Sequence, residues 1–372
     1  MLINRKYLIL LPVLAFSSLL IAGLAVSVIS LKDVPAEDWR ELRDPAKILS
    51  GESTRRFTKL LNQHFVLGTT FNQIERGLQW NLTGDWGPSV RGGCDNWLFL
   101  ADELEVYPGR NTVAEFRMTV ASQLASRLHD RGIKLIVAVV PDKTRIESAH
   151  LCGLKRSALF DNRIVSWLDG LNTHGIETLD LTVTLAAMQG ERYYHTDTHW
   201  NEAGAKGAAQ AVADKLVALK WASVTDGGAV TLNPARIERS GDLVRLASLD
   251  ALPAFLRPKT ELAQVTKVPP IAVVSDDLFG DAGLPSIALI GTSYSRNSNF
   301  VPFLEHSLGE PVANLAKDGG DFAGAAIAYF GGATFRSNPP KIVIWEVPER
   351  VIEAPIKETE RKWQQTLART GL

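Results

Sequence analysis

From residue 112 to residue 345 the chain alternates between stretches of helical periodicity and short apolar runs, and that alternation decides the fold class. Thr112 to about Arg131 has helical spacing with Asn111 as an N-cap, and Lys134 to Val140 is a nearly unbroken apolar run stopped by Pro141. Helical spacing follows over Leu159–Asn172, a strand over Ile176–Leu181, and a helix over Glu202–Leu219. After a Pro-rich, irregular region at 221–285, the pattern resumes with strand Ser286–Ile290, helix Asn299–Leu308, strand Val312–Leu315, helix Phe322–Tyr329 and strand Lys341–Trp345. Apolar strands separated by helices are buried on both faces. The class is therefore α/β, a doubly wound and mostly parallel sheet.

The N-terminus carries a different constraint. Arg5 and Lys6 precede a run from Tyr7 to Leu31 without a charged residue. About 25 residues at about 1.5 Å each make a helix of roughly 37 Å, enough to cross a hydrocarbon core of about 30 Å. The competing reading is a cleaved signal peptide, whose apolar region is usually shorter, with Ala22-Gly23-Leu24-Ala25 as the peptidase site. The expectation is a single transmembrane helix, with residues 1–31 as cytoplasmic end and anchor and everything after Lys32 outside. Residues 32–58, polar and containing Pro35 and Pro45, read as a stalk, and 59–372 as one catalytic domain that includes 221–285 as an irregular insertion. Within it, 58–82 has helical spacing broken near Gly68, and Asn96–Leu100 reads as a strand.

In such sheets ligands sit beyond the carboxyl ends of the strands. Pro141-Asp142-Lys143, Gly291-Thr292-Ser293 and Asp318-Gly319-Gly320 all fall there. The chemically richest stretch is Tyr194 to Gly204, which contains Asp197-Thr198-His199. If this stretch is extended, Asp197 and His199 point to one side, so that the carboxylate fixes one ring nitrogen and leaves the other as a base. Ser293, at the end of an apolar strand, is the nucleophile that such a base activates. Ser295 is its rival. Gly291 permits a tight turn, the Ser293 amide faces a developing oxyanion, and Gly319 or Gly320 supplies a second donor. Trp200, Tyr329 and Arg350 are further substrate-contact candidates, each with a structural alternative: a pocket or core wall, a core residue, and an ion pair with Glu346.

Two other classes stay open. His195, Asp197 and His199 alternate, and on a strand they would form a metal half-site for hydrolysis. A non-catalytic polysaccharide-binding scaffold would need none of this chemistry. With a net charge of −1 nothing recommends nucleic acid, and no motif calls for a cofactor. Cys94 and Cys152, the only cysteines, either pair in an oxidising space, closing a loop worth about 4 kcal/mol, or remain free thiols.

Asp197-Thr198-His199-Trp200, Gly291-Thr292-Ser293-Tyr294-Ser295, Trp97-Leu98-Phe99-Leu100, Val140-Pro141-Asp142-Lys143, Gly241-Asp242-Leu243 and Trp345-Glu346-Val347-Pro348-Glu349-Arg350 occur in one chain. Over about 90–350 this set resembles the alginate O-acetyltransferase AlgJ/AlgX family of SGNH-hydrolase-like proteins, with the Asp-His element before the serine in a circularly permuted order. The resemblance implies Ser293 as acyl-accepting nucleophile, His199 as base and Asp197 as its orienter. It further implies acetyl transfer to a polysaccharide acceptor, alginate or a similar exopolysaccharide, with a carbohydrate esterase as the water-consuming variant. The anchor and a chain that ends soon after Arg350 are similar to the AlgJ type rather than the AlgX type, which carries a C-terminal carbohydrate-binding module. That type implies an inner-membrane protein with its catalytic domain in the periplasm and a membrane-bound O-acyltransferase as acetyl supplier.

Overall fold

The structure, a computed structural model, describes residues 5–32, 34–223, 235–271 and 285–369. Residues 1–4 of the expected cytoplasmic end, and 224–234 and 272–284 of the expected irregular insertion, lie outside the described residues. The chain forms two compact units, one of residues 1–85 with 251–257, the other of 86–250 with 258–372.

The first unit is helical. Helix α1 (Arg5–Ser30) is long and apolar enough over Pro12–Ser30 to cross a membrane, a property that anchors and signal sequences share. Near its end the Ser27 and Ser30 hydroxyls donate back to the Gly23 and Val26 carbonyls, so polar side chains cost the helix no unpaired groups. The expected stalk contains three helices, α2 (Ala36–Leu42), α3 (Pro45–Leu49) and α4 (Glu52–His64), and Arg56 ties α4 to Asp38 and Glu41 of α2. Helix α5 (Gly68–Thr83) follows after a turn at Phe65–Leu67, and Gly84 at φ +70° closes it.

The second unit holds the sheet. Strands β1 (Val90–Gly92) and β2 (Leu98–Leu100) pair antiparallel on their own, so the strand expected at 96–100 is shorter and lies outside the main sheet. Helix α6 (Arg110–His129) starts after Gly109 at φ +71°, which takes the turn and leaves Asn111 inside the helix rather than capping it. Then come β3 (Lys134–Val140), α7 (Lys143–Ile146), α8 (Arg163–Thr173), β4 (Glu177–Asp180), α9 (Leu181–Ala187) and α10 (Glu202–Ala218). The region expected to be irregular contains a ribbon, β5 (Ala235–Arg239) paired antiparallel with β6 (Glu261–Val265), and α11 (Asp242–Leu246) between them. Strands β7 (Ile287–Ile290), β8 (Val312–Asn314) and β9 (Ile342–Pro348) alternate with α12 (Phe300–Leu308), α13 (Gly324–Phe330) and α14 (Ala333–Ser337), and α15 (Glu358–Arg369) ends the fold.

All five strands of the main sheet are parallel, in the order β4-β3-β9-β7-β8. Side chains alternate between two cores. Val137, Val139, Val343, Trp345 and Ile290 face α6, α8, α13 and α15, whereas Ile136, Ala138, Ile344, Ile287 and Leu289 face α9, α10 and α12. This is the doubly wound arrangement that the alternation of strands and helices predicts, with β9 at its centre.

On the first face a buried pair fastens the last helix. Arg117 of α6 makes two parallel hydrogen bonds, both 3.0 Å, to the Glu360 carboxylate of α15, and both side chains are almost fully buried. Glu360→Ala leaves that guanidinium buried without its counter-charge, so chemical denaturation is expected to show a loss of about 3 kcal/mol or more. A loss under about 1 kcal/mol would mean that the backbone carbonyls of Val351 and Ala354, which also accept from Arg117, satisfy it alone.

Candidate active site

Residues 193–200 form a closed loop. Tyr193 and Trp200 bridge antiparallel, and the Tyr194 N–H donates to the His199 carbonyl. The segment is thus not the extended strand the sequence suggested. Asp197 and His199 meet instead through a local turn, in which Asp197 Oδ1 accepts from the His199 backbone N–H at 2.9 Å and from Nδ1 at 2.6 Å. A short acidic side chain bonding the amide two residues on is what bends the chain here.

Three further groups hold this loop. Lys143, at the start of α7 just beyond β3, donates from Nζ to the carbonyls of Leu98 (2.5 Å), His195 (2.9 Å) and Asp197 (2.9 Å). All three of its protons are used, and burial pushes its ammonium down to about 8. Glu261 of β6 accepts from the His195 and Thr196 amides and the Thr196 hydroxyl at 2.7, 3.0 and 2.5 Å. Gly241 lies so close that a Cβ there would stand 2.0 Å from the Thr196 carbonyl oxygen. That approach brings up Arg239, whose Nη2 donates to Asp197 Oδ2 at 2.5 Å, and Asp242, whose amide donates to the same oxygen at 3.1 Å. The Asp242 carboxylate in turn accepts from the Thr198 amide and hydroxyl. Burial alone would push the Asp197 carboxyl up. The hydrogen bonds and charge of His199, with the Arg239 guanidinium, outweigh it and hold the group well below the usual aspartate range.

The serine arrives from the other side. Beyond β7, Gly291 packs on Glu346 of β9 with no room for a side chain, a Cβ standing 2.5 Å from Oε2. The Glu346 carboxylate accepts from the Thr292 amide (2.6 Å), the Thr292 hydroxyl and the Ser295 hydroxyl (both 3.0 Å), pinning the turn of residues 293–296. Ser295 is therefore buried and engaged. Ser293 is half-buried, and its Oγ lies 2.7 Å from His199 Nε2. With the Asp197 carboxylate at Nδ1, the ring carries its proton there and Nε2 accepts from the serine hydroxyl. The edge of the Tyr294 ring packs 5.1 Å from the imidazole, and its hydroxyl donates to the Thr198 carbonyl.

Ser293 and His199 open into a cleft of about 800 Å³ whose walls carry Arg239, Arg245, Arg296, Asp250 and Asp318. Gly319, at φ +62°, lines it beside the serine. The other sequence candidates are placed elsewhere. The Gly320 amide donates to the Lys317 carbonyl in a turn and is not directed at the cleft as a donor. Trp200 is fully buried between Phe300 and Tyr294, a wall behind the site and no platform for sugar. Tyr329 packs with Phe330 and Phe335 in the first core. Arg350 sits behind Tyr294, its guanidinium 5.5 Å from that ring. His195 stacks on Trp97 with Nε2 against Glu191, turned away from His199, so the three-residue metal half-site does not assemble. Among the described residues Asp197, His199 and Asp242 do bring ligand atoms within 4.8 Å of one another. Both Asp197 oxygens are already taken, and a cation there would have to displace the Arg239 guanidinium.

Arg239, Glu261 and Lys143 are the site's less legible members. Only Gly241-Asp242 marked the first in the sequence, and nothing marked Glu261.

The family described as "SGNH hydrolase-like domain, acetyltransferase AlgX" matches residues 90–349. The chain is 29% identical over 356 residues to a probable alginate O-acetylase AlgJ of Pseudomonas aeruginosa, covering 92% of this chain and 90% of that one. It is 35% identical over 268 residues to an alginate biosynthesis protein AlgX of Pseudomonas fluorescens, 68% of this chain and 53% of the other. Among solved structures, the O-acetyltransferase domain of Pseudomonas putida AlgJ superposes with a TM-score of 0.64 at 26% identity, covering 76% of this chain and 99% of that domain.

The depressed Asp197 carboxyl has a pH signature. An unfolded aspartate titrates near 3.9, so ionised Asp197 stabilises the fold above about pH 5, and that contribution is lost as the pH falls through 4 toward the folded value. Denaturant titrations are expected to show the stability gap between wild type and Asp197→Asn narrowing by at least about 1 kcal/mol from pH 7 to pH 3. A gap that widens on acidification would contradict the assignment.

Proposed function

The chain belongs to the SGNH hydrolase-like, AlgX-type acetyltransferase family, and on that premise we propose that it moves acetyl groups onto hydroxyls of a secreted polysaccharide through an acyl-serine at Ser293. One observation carries the reading: Ser293 Oγ, His199 and Asp197 form a continuous hydrogen-bonded line, 2.7 and 2.6 Å, that ends at a polar cleft.

In the first half-reaction Ser293 Oγ attacks the acetyl carbonyl while its proton passes to His199 Nε2, and Asp197 stabilises the imidazolium. The oxyanion is held by the Ser293 amide and the backbone at Gly319. As the intermediate collapses, the donor's leaving group departs with the proton from His199. In the second half, a sugar hydroxyl gives its proton to the same nitrogen and its oxygen takes the acyl group, after which Ser293 regains the proton. Ser293 is partly open to solvent, so water competes for the acyl-enzyme, and carbohydrate esterase is the second reading.

Cleft walls that carry Arg239, Arg245 and Arg296 beside aspartates suit a polyhydroxylated polymer that bears carboxylates. Relatives named for alginate point to alginate or a similar exopolysaccharide as acceptor. In this reading α1 is a single inner-membrane anchor, the second unit works in the periplasm, and a membrane-bound O-acyltransferase supplies the acetyl group. A disulfide between Cys94 and Cys152, 58 residues apart in sequence, suits that oxidising space.

With a chromogenic acetyl ester, Ser293→Ala is expected to lower kcat by roughly 10³-fold or more, and His199→Ala comparably. Mass spectrometry of the quenched wild type should find acetyl on the peptide carrying Ser293. Turnover that survives Ser293→Ala and disappears with chelator would replace this mechanism with a metal-assisted one.

A further inference from the structure

In the first unit, the face of α5 that points outward is apolar. Phe71, Ile74, Leu78 and Leu82 are all more than half exposed. At about 100° per residue they fall within about 80° of arc, a single stripe along the helix. The flank beyond Ile74 is packed: Gly77, about 60° further round the helix, is buried against Leu252, where a Cβ would stand 2.6 Å from Cδ2. Water is a poor solvent for such a stripe.

A hydrogen bond says what covers it. The Val66 amide, in the turn that feeds α5, donates to Ser30 Oγ at 3.0 Å. Ser30 is the last residue of α1, where the apolar span ends. The turn is thereby fixed at the level where the chain leaves the hydrocarbon, and its Val66 and Leu67 side chains are exposed there beside those of α1. The Ser30–Val66 bond thus brings the end of the apolar span to the turn from which α5 and its stripe set out.

We propose that α5 is an interfacial helix, its Phe71-Ile74-Leu78-Leu82 stripe lying in the headgroup–acyl boundary of the bilayer that α1 enters. This rests on the reading of α1 as an anchor. The occupant is lipid: the turn is pinned to the end of a helix that has itself only lipid to bury its exposed apolar side chains.

Site-directed spin labelling of the full chain tests it. Cysteines are introduced singly at Leu19, Ile74, Leu78 and Thr83, the native disulfide is left intact, and the protein is reconstituted in vesicles of phosphatidylethanolamine and phosphatidylglycerol. Collision with oxygen against a water-soluble nickel chelate then reads depth. The expected outcome is a Leu19 label in the bilayer interior, and oxygen-to-nickel ratios at Ile74 and Leu78 several-fold above that at Thr83, on the far side of α5. If Leu19 lies in the bilayer while Ile74 and Leu78 match Thr83, the interfacial helix is overturned, the anchor stands and the stripe belongs to a protein partner. If Leu19 itself reads water, the anchor reading fails and takes this inference with it.

Discussion

The Asp197 carboxylate is the point on which the rest of the site hangs. It accepts from the His199 amide, the His199 ring, the Arg239 guanidinium and the Asp242 amide. Four donors on two oxygens leave the group little freedom, and they tie the loop at 197–199 to the stretch 239–242. The His199 ring points at Ser293 because its other nitrogen is held. Arg239 also stacks 4.1 Å over the Tyr194 ring, so the same guanidinium that reaches Asp197 clamps the base of the loop.

Beneath the strand ends lies a layer of buried charge. Glu349, beyond β9, collects Arg145, Arg156 and Arg163, and Asp142 shares Arg163 with it. Burial pushes the Asp142 carboxyl up, with the Glu349 charge adding to it, whereas at Glu349 the surrounding arginines overcome the same cost and hold it low. Such a layer adds little stability for its desolvation, but it permits few alternative arrangements. The turns that begin at Asp142 and Glu349 therefore leave β3 and β9 at fixed angles. Of two serines two residues apart, Ser295 is spent on Glu346 and Ser293 is left to the cleft.

Much of the sheet was legible because its signal is local. Lys134–Val140 reads as a buried strand from its own residues, and the structure forms that strand over the same residues. Asp197, His199 and Ser293 were singled out from residue chemistry alone, and the structure brings the three within hydrogen-bonding reach of one another. The wrong steps were geometric. An alternating His-x-Asp-x-His looks like a strand, yet the Asp197 side chain competes with sheet pairing by bonding the His199 amide, and no periodicity reports that. Tyr329 packs in the first core, and Arg350 reaches the Tyr294 hydroxyl behind the serine rather than lining the cleft. Glu261 was invisible because its three hydrogen bonds cross 65 and 66 residues. The ribbon that carries it and Arg239 lies in a stretch whose composition looked irregular.

The strand order has a consequence for how such a chain is made. The central strand, β9, pairs with both β3 and β7, yet it is the last of the five to leave the ribosome. Until residues 342–348 are available, β3 with β4 and β7 with β8 are two separate pairs, each presenting an unpaired edge. The two pairs cannot join before then, because the register of β3 on β9 places partners such as Lys134 and Ile342 far apart in the chain, and such long-range pairing closes slowly. The half-built sheet is the aggregation-exposed state, and the interval before its last strand arrives is when a holding chaperone has something to hold.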